Sequence, residues 1–330
     1  MRLLIVGLGS VGRRHLRNLA ALGQQDIILL RSGRATLPES ELEGYTAVRD
    51  LQAALQARPE AAVIASPTAK HLETAIPLAR AGCHVLLEKP VSHSLDGVED
   101  LRQAARRGGA RVMVAFQYRY HPGLLAVERW LRSGAIGRPY HAQAHYGDYL
   151  PGWHPWEDYR SSYSARPDLG GGAVLTLCHP LDYLLWLMGD VQQVLASVGT
   201  RGDLGIVVED TADALLEFEG GTSGSVHLDY LQRPPGHHLA ILGTEGTLTW
   251  DQADGAARLY RAESGAPEVI EAPQGYERNH MFLAEMERFL AVAEGRALPW
   301  PELEDGIRTL ALGAAILESS RRGTQVRLSP

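Results

Sequence analysis

The feature that most constrains this chain is its start. An apolar run from Leu3 to Val6 stops at Gly7, and glycines recur at Gly9 and Gly12. This G-x-G-x-x-G stands between a predicted strand and a predicted helix. Gly7 permits a tight turn out of the strand. Gly9 lets a pyrophosphate approach the backbone with no Cβ in the way, and Gly12 lets the helix pack closely on the strand. The helix start, at Ser10 and Val11, offers unpaired N–H groups and a partial positive charge to phosphates. Leu16, Leu19 and Ala20 continue the helical pattern, Gly23 can end it, and a second apolar strand follows at 27–30. The reading is a dinucleotide site. In a chain with 35 glycines the alternative is a glycine-rich turn without a ligand.

A length of 330 residues suggests two domains, placed at 1–120 and 121–330. At 45% hydrophobic and 22% charged the composition is that of a soluble globular protein with material for two cores. The formal net charge of −7 argues against a nucleic-acid partner. The apolar start is too short for a signal peptide and runs into the glycine turn. No stretch approaches the roughly 20 apolar residues of a membrane span. Cys83 and Cys178 are too few for a disulfide framework or a cysteine zinc site, so the expected compartment is a reducing cytoplasm. No metal site is expected: the 13 histidines contain no H-E-x-x-H, and His237 and His238 point to opposite sides if they lie on a strand.

Short apolar strands predicted at 3–6, 27–30, 46–48, 62–65, 84–87 and 111–116 alternate with helical stretches at 11–22, 51–57, 70–81 and 95–107. This is an α/β, Rossmann-like doubly wound layout: a parallel sheet covered on both faces, with ligand beyond the carboxyl ends of the strands. The pattern then changes. Helices are expected at 124–132, 173–188, 278–293 and 301–321, and 140–149 is expected to be extended. Strands are expected at 194–198, 212–218, 223–230, 238–242, 247–250 and 257–261. Tight turns between consecutive strands make the C-terminal part an α+β domain with a large, mostly antiparallel open sheet. Val226, Leu228 and Tyr230 would line one face. If helices cover only that side, the other favours a second subunit, so a homodimer or homotetramer through this sheet is expected.

Several positions suit chemistry. Val85-Leu-Leu-Glu-Lys-Pro90 ends a strand at the ligand edge with an acid, a base and a proline. Lys89 there is either a proton donor or acceptor, or a solvated strand-end lysine. At Ser66-Pro67-Thr68, Ser66 and Thr68 either bond a cofactor or, for Thr68, cap the next helix; His71 lies one turn on. Gly170-Gly-Gly172 opens the apolar helix that carries His179 and Asp182, three apart on one face. The loop 153–163, rich in aromatic residues with an arginine, suits a sugar ring or a subunit interface equally.

Taken together, Gly7-Leu-Gly-Ser-Val-Gly12, Ser66-Pro-Thr68 with His71, Glu88-Lys-Pro90, Tyr118-Arg-Tyr120, and Gly170-Gly-Gly172 leading to His179 and Asp182 resemble the glucose–fructose oxidoreductase / inositol dehydrogenase (Gfo/Idh/MocA) family. The resemblance implies oxidation or reduction of a carbon of a sugar, cyclitol or nucleotide sugar by a bound nicotinamide. Lys89 would bond the reacting oxygen, and His179 would pass its proton. Ser66, Pro67, Thr68, His71, Glu88 and Tyr118 would line the cofactor. Arg119, Tyr149, Tyr159, Arg160, Tyr163 and Thr176, with Lys89 and His179, would line the substrate. Thr176 departs from the family pattern, in which many members carry an acid shortly before the histidine; either His179 and Lys89 suffice, or Asp182 or another acid compensates. Two other readings are a redox-neutral enzyme that oxidises its sugar transiently and a non-catalytic cofactor-binding regulator.

An NAD site usually has an acid at the end of the second strand. Here the chain reads Arg31-Ser32-Gly33-Arg34, with no carboxylate until Glu39. Arg31 and Arg34, with Ser32, can pair with a 2′-phosphate, which favours NADP over NAD.

Overall fold

The computed structural model describes residues 1–31, 39–262 and 265–328, apart from the Glu39 side chain. Ser32 and Arg34 therefore lie outside the described residues. The chain forms two compact units. The first gathers 1–117, 168–170 and 278–307; the second gathers 118–167, 171–277 and 308–330.

In the first unit the elements run β1 Leu3–Val6, α1 Ser10–Ala21, β2 Ile27–Leu30, β3 Thr46–Val48, α2 Leu51–Gln56, β4 Ala61–Ile64, α3 His71–Arg80, β5 His84–Glu88, α4 Val98–Gly108 and β6 Val112–Ala115. The sheet order is β3-β2-β1-β4-β5-β6, and every pairing is parallel. All residues of β1, β2, β4 and β6 are buried. Continuous apolar runs are what a sheet covered on both faces demands. Strand order reverses between β1 and β4, so the crevice for a ligand opens beyond Val6 and Ile64, at Gly7 and Ser66.

The sequence puts the boundary near residue 120, yet the first unit also takes 278–307. The reason is apolar cover. Helix α8, Asn279–Ala293, brings Met286, Phe289, Leu290 and Val292 into one cluster with Leu3, Ile5, Leu16, Leu19, Leu29 and Met113. Each such side chain contributes about 1.5–3 kcal/mol on burial. Asn279 also donates to Asn18 of α1 at 2.9 Å.

The second unit holds α5 Pro122–Arg132, β7 Pro139–Gly147, α6 Ala173–Thr176, α7 His179–Met188, β8 Val191–Gly199, β9 Thr211–Phe218, β10 Ser223–Asp229, β11 Gly236–Gly243, β12 Gly246–Asp251, β13 Ala257–Arg261 and β14 Glu268–Ile270. Helix α9, Leu303–Arg322, leads into β15, Val326–Arg327. The nine-stranded sheet has the order β14-β13-β12-β11-β7-β10-β9-β8-β15, with only β10 and β7 parallel. Burial alternates along β9 and β11, the mark of a sheet packed on one face. Val226, Leu228 and Tyr230 are buried together, as their alternation predicts.

The expected single helix 173–188 is two. Pro180 has no N–H to give the carbonyl of Thr176, and its ring would strike that carbonyl in a continuous helix. The chain breaks at Leu177 and Cys178, and His179 starts α7 with the proline in its first turn. Pro301 likewise lies before α9, which begins at Leu303.

Candidate active site

The first unit carries the candidate cofactor residues other than Tyr118. At the β1–α1 turn each glycine has its own constraint. Gly7 has φ +85°, and a Cβ there would sit 2.6 Å from the Ala65 carbonyl oxygen; one on Gly12 would sit 2.0 Å from that of Gly7. Those two glycines are required by packing alone. Gly9 is different, because a Cβ there meets nothing within 4 Å. Gly9 is exposed and N-caps α1. Among the described residues, the first turn, from Ser10 and Val11 on, has no side-chain cap and no acid of its own. This is the arrangement that takes a phosphate, so a nicotinamide dinucleotide fits the turn.

Ser66 follows β4, and its buried Oγ has no hydrogen-bond partner among the described residues. Pro67 precedes a short turn, Thr68–Lys70. Thr68 does not cap: neither that turn nor α3 has a side-chain cap. It is buried instead, against the backbone of Gly170. His71 is buried, with Nδ1 and Nε2 each 2.9 Å from a carbonyl oxygen, of Pro90 and Ser66 respectively. It ties the loop after β4 to the loop after β5. Burial pushes its pKa down, against the pull of those two carbonyls and of Glu88.

Lys89 follows the last residue of β5, half-buried, and its peptide bond to Pro90 is cis. Glu88 beside it is buried. One carboxylate oxygen lies 2.7 Å from Nε2 of His15, and the other accepts the Lys89 backbone N–H at 3.2 Å. Burial pushes the Glu88 pKa up, but the bond to His15 and the charges of His15, Lys89 and His71 outweigh it and hold the group below the usual carboxylate range. Sequence reasoning missed His15. Arg31, at the end of β2, is half-buried, and its backbone N–H bonds Val48.

The second unit carries His179 and the candidate substrate residues other than Lys89. His179 is 4% exposed, and its ring meets the edge of Tyr118, centroids 4.7 Å apart. Tyr118 also meets His237 at 4.6 Å, and His237 stacks on Tyr146 at 4.1 Å. Tyr183 closes the cluster, its hydroxyl 3.3 Å from Nε2 of His237. Rigid aromatic walls of this kind fix the orientation of an imidazole.

Asp182 and Arg119 are both buried and form a forked ion pair: Nε of Arg119 lies 3.1 Å from each carboxylate oxygen and Nη2 2.7 Å from one. Removing one member of such a buried pair costs about 3–5 kcal/mol. The sequence singled out Asp182 as a compensating acid and Arg119 as a substrate ligand; here each neutralises the other. Thr176 is buried next to Tyr230, whose hydroxyl donates to the Ser164 carbonyl at 3.2 Å. A carboxyl that the sequence reading did not single out lies close by. Glu209 accepts the Val174 N–H at 3.2 Å at the head of α6, and burial raises its pKa.

The aromatic loop is anchored rather than loose. Tyr159 donates to the Leu204 carbonyl at 2.8 Å, Arg160 lies over the Tyr159 ring at 5.0 Å, and Arg233 lies over Tyr149 at 4.0 Å. Tyr163 is half-buried beside Tyr230. Among the described residues no group of three His, Cys, Asp or Glu side chains can hold a metal ion, and no helix is long and apolar enough to cross a membrane.

Comparison with known proteins places the chain. Residues 1–116 match the oxidoreductase family with an NAD-binding Rossmann fold, and residues 124–249 match the GFO/IDH/MocA C-terminal domain. D-apiose dehydrogenase of Paraburkholderia graminis is 27% identical over 347 residues, covering 98% of this chain and 88% of its own. The fold is that of levoglucosan dehydrogenase in complex with NADH and levoglucosan (TM-score 0.89, 20% identity, all of both chains). It is also that of the WlbA dehydrogenase from Bordetella pertussis in complex with NADH and UDP-GlcNAcA (TM-score 0.86, 24% identity, 100% of this chain and 98% of that one). With both halves matched in order, the chain belongs to the Gfo/Idh/MocA family of nicotinamide-dependent oxidoreductases.

Proposed function

We propose that this protein oxidises or reduces a hydroxyl-bearing carbon of a sugar, cyclitol or nucleotide sugar. A nicotinamide, when bound, supplies or takes the hydride. The turn at Gly7, Gly9 and Gly12 and the first N–H groups of α1 hold its phosphates, with Ser66 as a further donor. Lys89 hydrogen-bonds the reacting oxygen and assists its proton transfer. His179, oriented by Tyr118, gives or takes that proton. Tyr149, Tyr159, Arg160 and Tyr163 bind the rest of the sugar. In this reading Asp182 and Arg119 anchor α7, and Thr176 leaves the proton work to His179 and Lys89.

The observation that carries this is residue 89. Of the 32 basic residues only Lys70 and Lys89 are lysine; the other 30 are arginine. Arginine does not release a proton at working pH, whereas lysine can, and the other lysine, Lys70, is exposed and paired with Glu73. Lys89 also directly follows a buried carboxylate at the ligand edge of the sheet. The sugar class draws on the relatives, one named for D-apiose and two with levoglucosan or UDP-GlcNAcA in their complexes.

The test is turnover of reduced and oxidised nicotinamide with a panel of sugars, cyclitols and nucleotide sugars. Lys89→Ala should bind the same reduced nicotinamide dinucleotide as wild type and lose turnover by 100-fold or more, about the contribution of one positioned acid–base group. Unchanged turnover removes Lys89 from the chemistry. A lasting change in nicotinamide absorbance marks net oxidation or reduction, and none during conversion marks a redox-neutral reaction. We further read the cofactor as NADP, from Arg31 and the lack of a nearby acid before Glu39; higher catalytic efficiency with NAD defeats that part. We also propose that a second copy packs on the uncovered face of the C-terminal sheet.

A further inference from the structure

We propose that His15, on the helix that opens at the glycine turn, is a positioning residue that holds Glu88 as a fixed buried counter-charge for Lys89. The proposal rests on the reading of Lys89 as the proton-handling group, and it says what governs that lysine's proton.

The geometry is complete within the first unit. His15 and Glu88 stand 73 residues apart, 2.7 Å from Nε2 to Oε1, with side chains 0% and 9% exposed. One carboxylate oxygen meets Nε2 of the His15 ring and the other accepts the Lys89 backbone N–H. With the proton on Nε2 the ring donates to an ionised carboxylate, the form that the bond and charge of His15 favour, and what is left unpaired at Nδ1 is a lone pair rather than an N–H. His15 has no second anchor to divide its attention. Its Nδ1 is buried without a hydrogen-bond partner, and its ring packs at an angle to Phe282, centroids 6.1 Å apart. Among the described residues the ring bonds Glu88 alone, so its polar function there is to hold this carboxylate.

The consequence for Lys89 follows by linkage. The lysine's charge lowers the Glu88 pKa. The same interaction must therefore favour the protonated lysine by an equal free energy. Without the ring bond, burial would raise the Glu88 pKa against the charges of Lys89, His71 and Arg14 that remain, and the counter-charge would weaken. On the far side His71 bonds Pro90, which fixes the backbone next to Lys89. The device thus joins the helix that receives the phosphates to the residue that handles the proton.

The scarcity of lysine makes a direct test possible. Protein labelled with 13Cε-lysine carries only two such side chains, Lys70 and Lys89. Lys70 is exposed and paired with Glu73 at 2.8 Å, so it serves as internal reference. The Cε shift of each is followed against pH in the full chain and in the variants Glu88→Gln, His15→Leu and His15→Gln. Glu88→Gln should lower the Lys89 midpoint by about one unit or more, the effect of losing one adjacent opposite charge. His15→Leu should lower it in the same direction. His15→Gln keeps an amide donor and should retain most of the wild-type midpoint. Lys70 should not move. Thermal melts and NADH fluorescence confirm that each variant is folded. If His15→Leu does not fold, His15→Asn, too short to reach the carboxylate, takes its place. Equal Lys89 midpoints in wild type and Glu88→Gln overturn the counter-charge. A shift with Glu88→Gln but none with His15→Leu or His15→Asn overturns the part of His15. The titration needs no substrate, so failure to find a sugar that turns over leaves it standing.

Discussion

At the scale of single residues, the glycines of the β1–α1 turn separate packing from binding. Gly12 has a carbonyl oxygen 2.0 Å from where a Cβ would be, whereas Gly9 has open space. Gly12→Ala should therefore lower the melting temperature sharply, because backbone cannot yield as a side-chain end can; overpacking of this kind costs about 1–3 kcal/mol or more. Gly9→Ala should melt within a degree or so of wild type and yet bind NADH at least tenfold more weakly. Calorimetry and NADH fluorescence read the two effects. Equal binding by Gly9→Ala and wild type would remove the pyrophosphate from this position. These glycines were legible in the sequence because their task is local. His15 was not, since a histidine in an amphipathic helix gives no sign of a carboxylate 73 residues away.

At the scale of elements, the outer face of the C-terminal sheet carries a polar row. Register places Asp213 of β9, His227 of β10, His145 of β7, His238 of β11 and Asp251 of β12 side by side. The three imidazoles stack at 4.9 and 4.7 Å. His227 bonds Asp213 at 2.6 Å and Asp229 at 3.1 Å. Asp229 first, and then Asp213, raise its pKa against the effect of burial. A histidine whose folded pKa is raised adds stability below its unfolded pKa, about 6.5, and loses it as pH rises through the folded value. Both aspartates have folded pKa values lowered in part by His227, so their share is lost as pH falls through those values. His227→Gln should therefore be less stable than wild type near pH 6 and equal to it near pH 9, and the gap should shrink again in strong acid. With the ring about a third exposed, the difference should stay at about 1 kcal/mol or less. Denaturant melts at several pH values measure it; a gap that persists at pH 9 contradicts the assignment. The strands of this row were visible as alternation. The row itself came from register, which a list of strands does not contain.

At the scale of the whole molecule, the exposed face of the C-terminal sheet is where we propose that a second copy packs. Leu195 and Leu215 are 45% and 60% exposed on β8 and β9, beside a groove of about 540 Å³ lined also by His145 and His227. If a second copy covers this face, Leu215→Asp should shift the protein toward monomer in light scattering, with the melting temperature of the dilute protein little changed. A wild type that is monomeric at micromolar concentration ends the proposal. By itself, the sequence determined the two fold classes, the glycine turn, the strand-end lysine and the aromatic loop, because those depend on neighbours a few residues apart and on the period of the apolar pattern. Only the tertiary structure decided that 278–307 completes the first core, that Arg119 and Asp182 neutralise each other, and that His15 holds Glu88. Each of these rests on groups far apart in the chain that burial forces to find partners, and a buried charge accepts whichever partner the fold delivers.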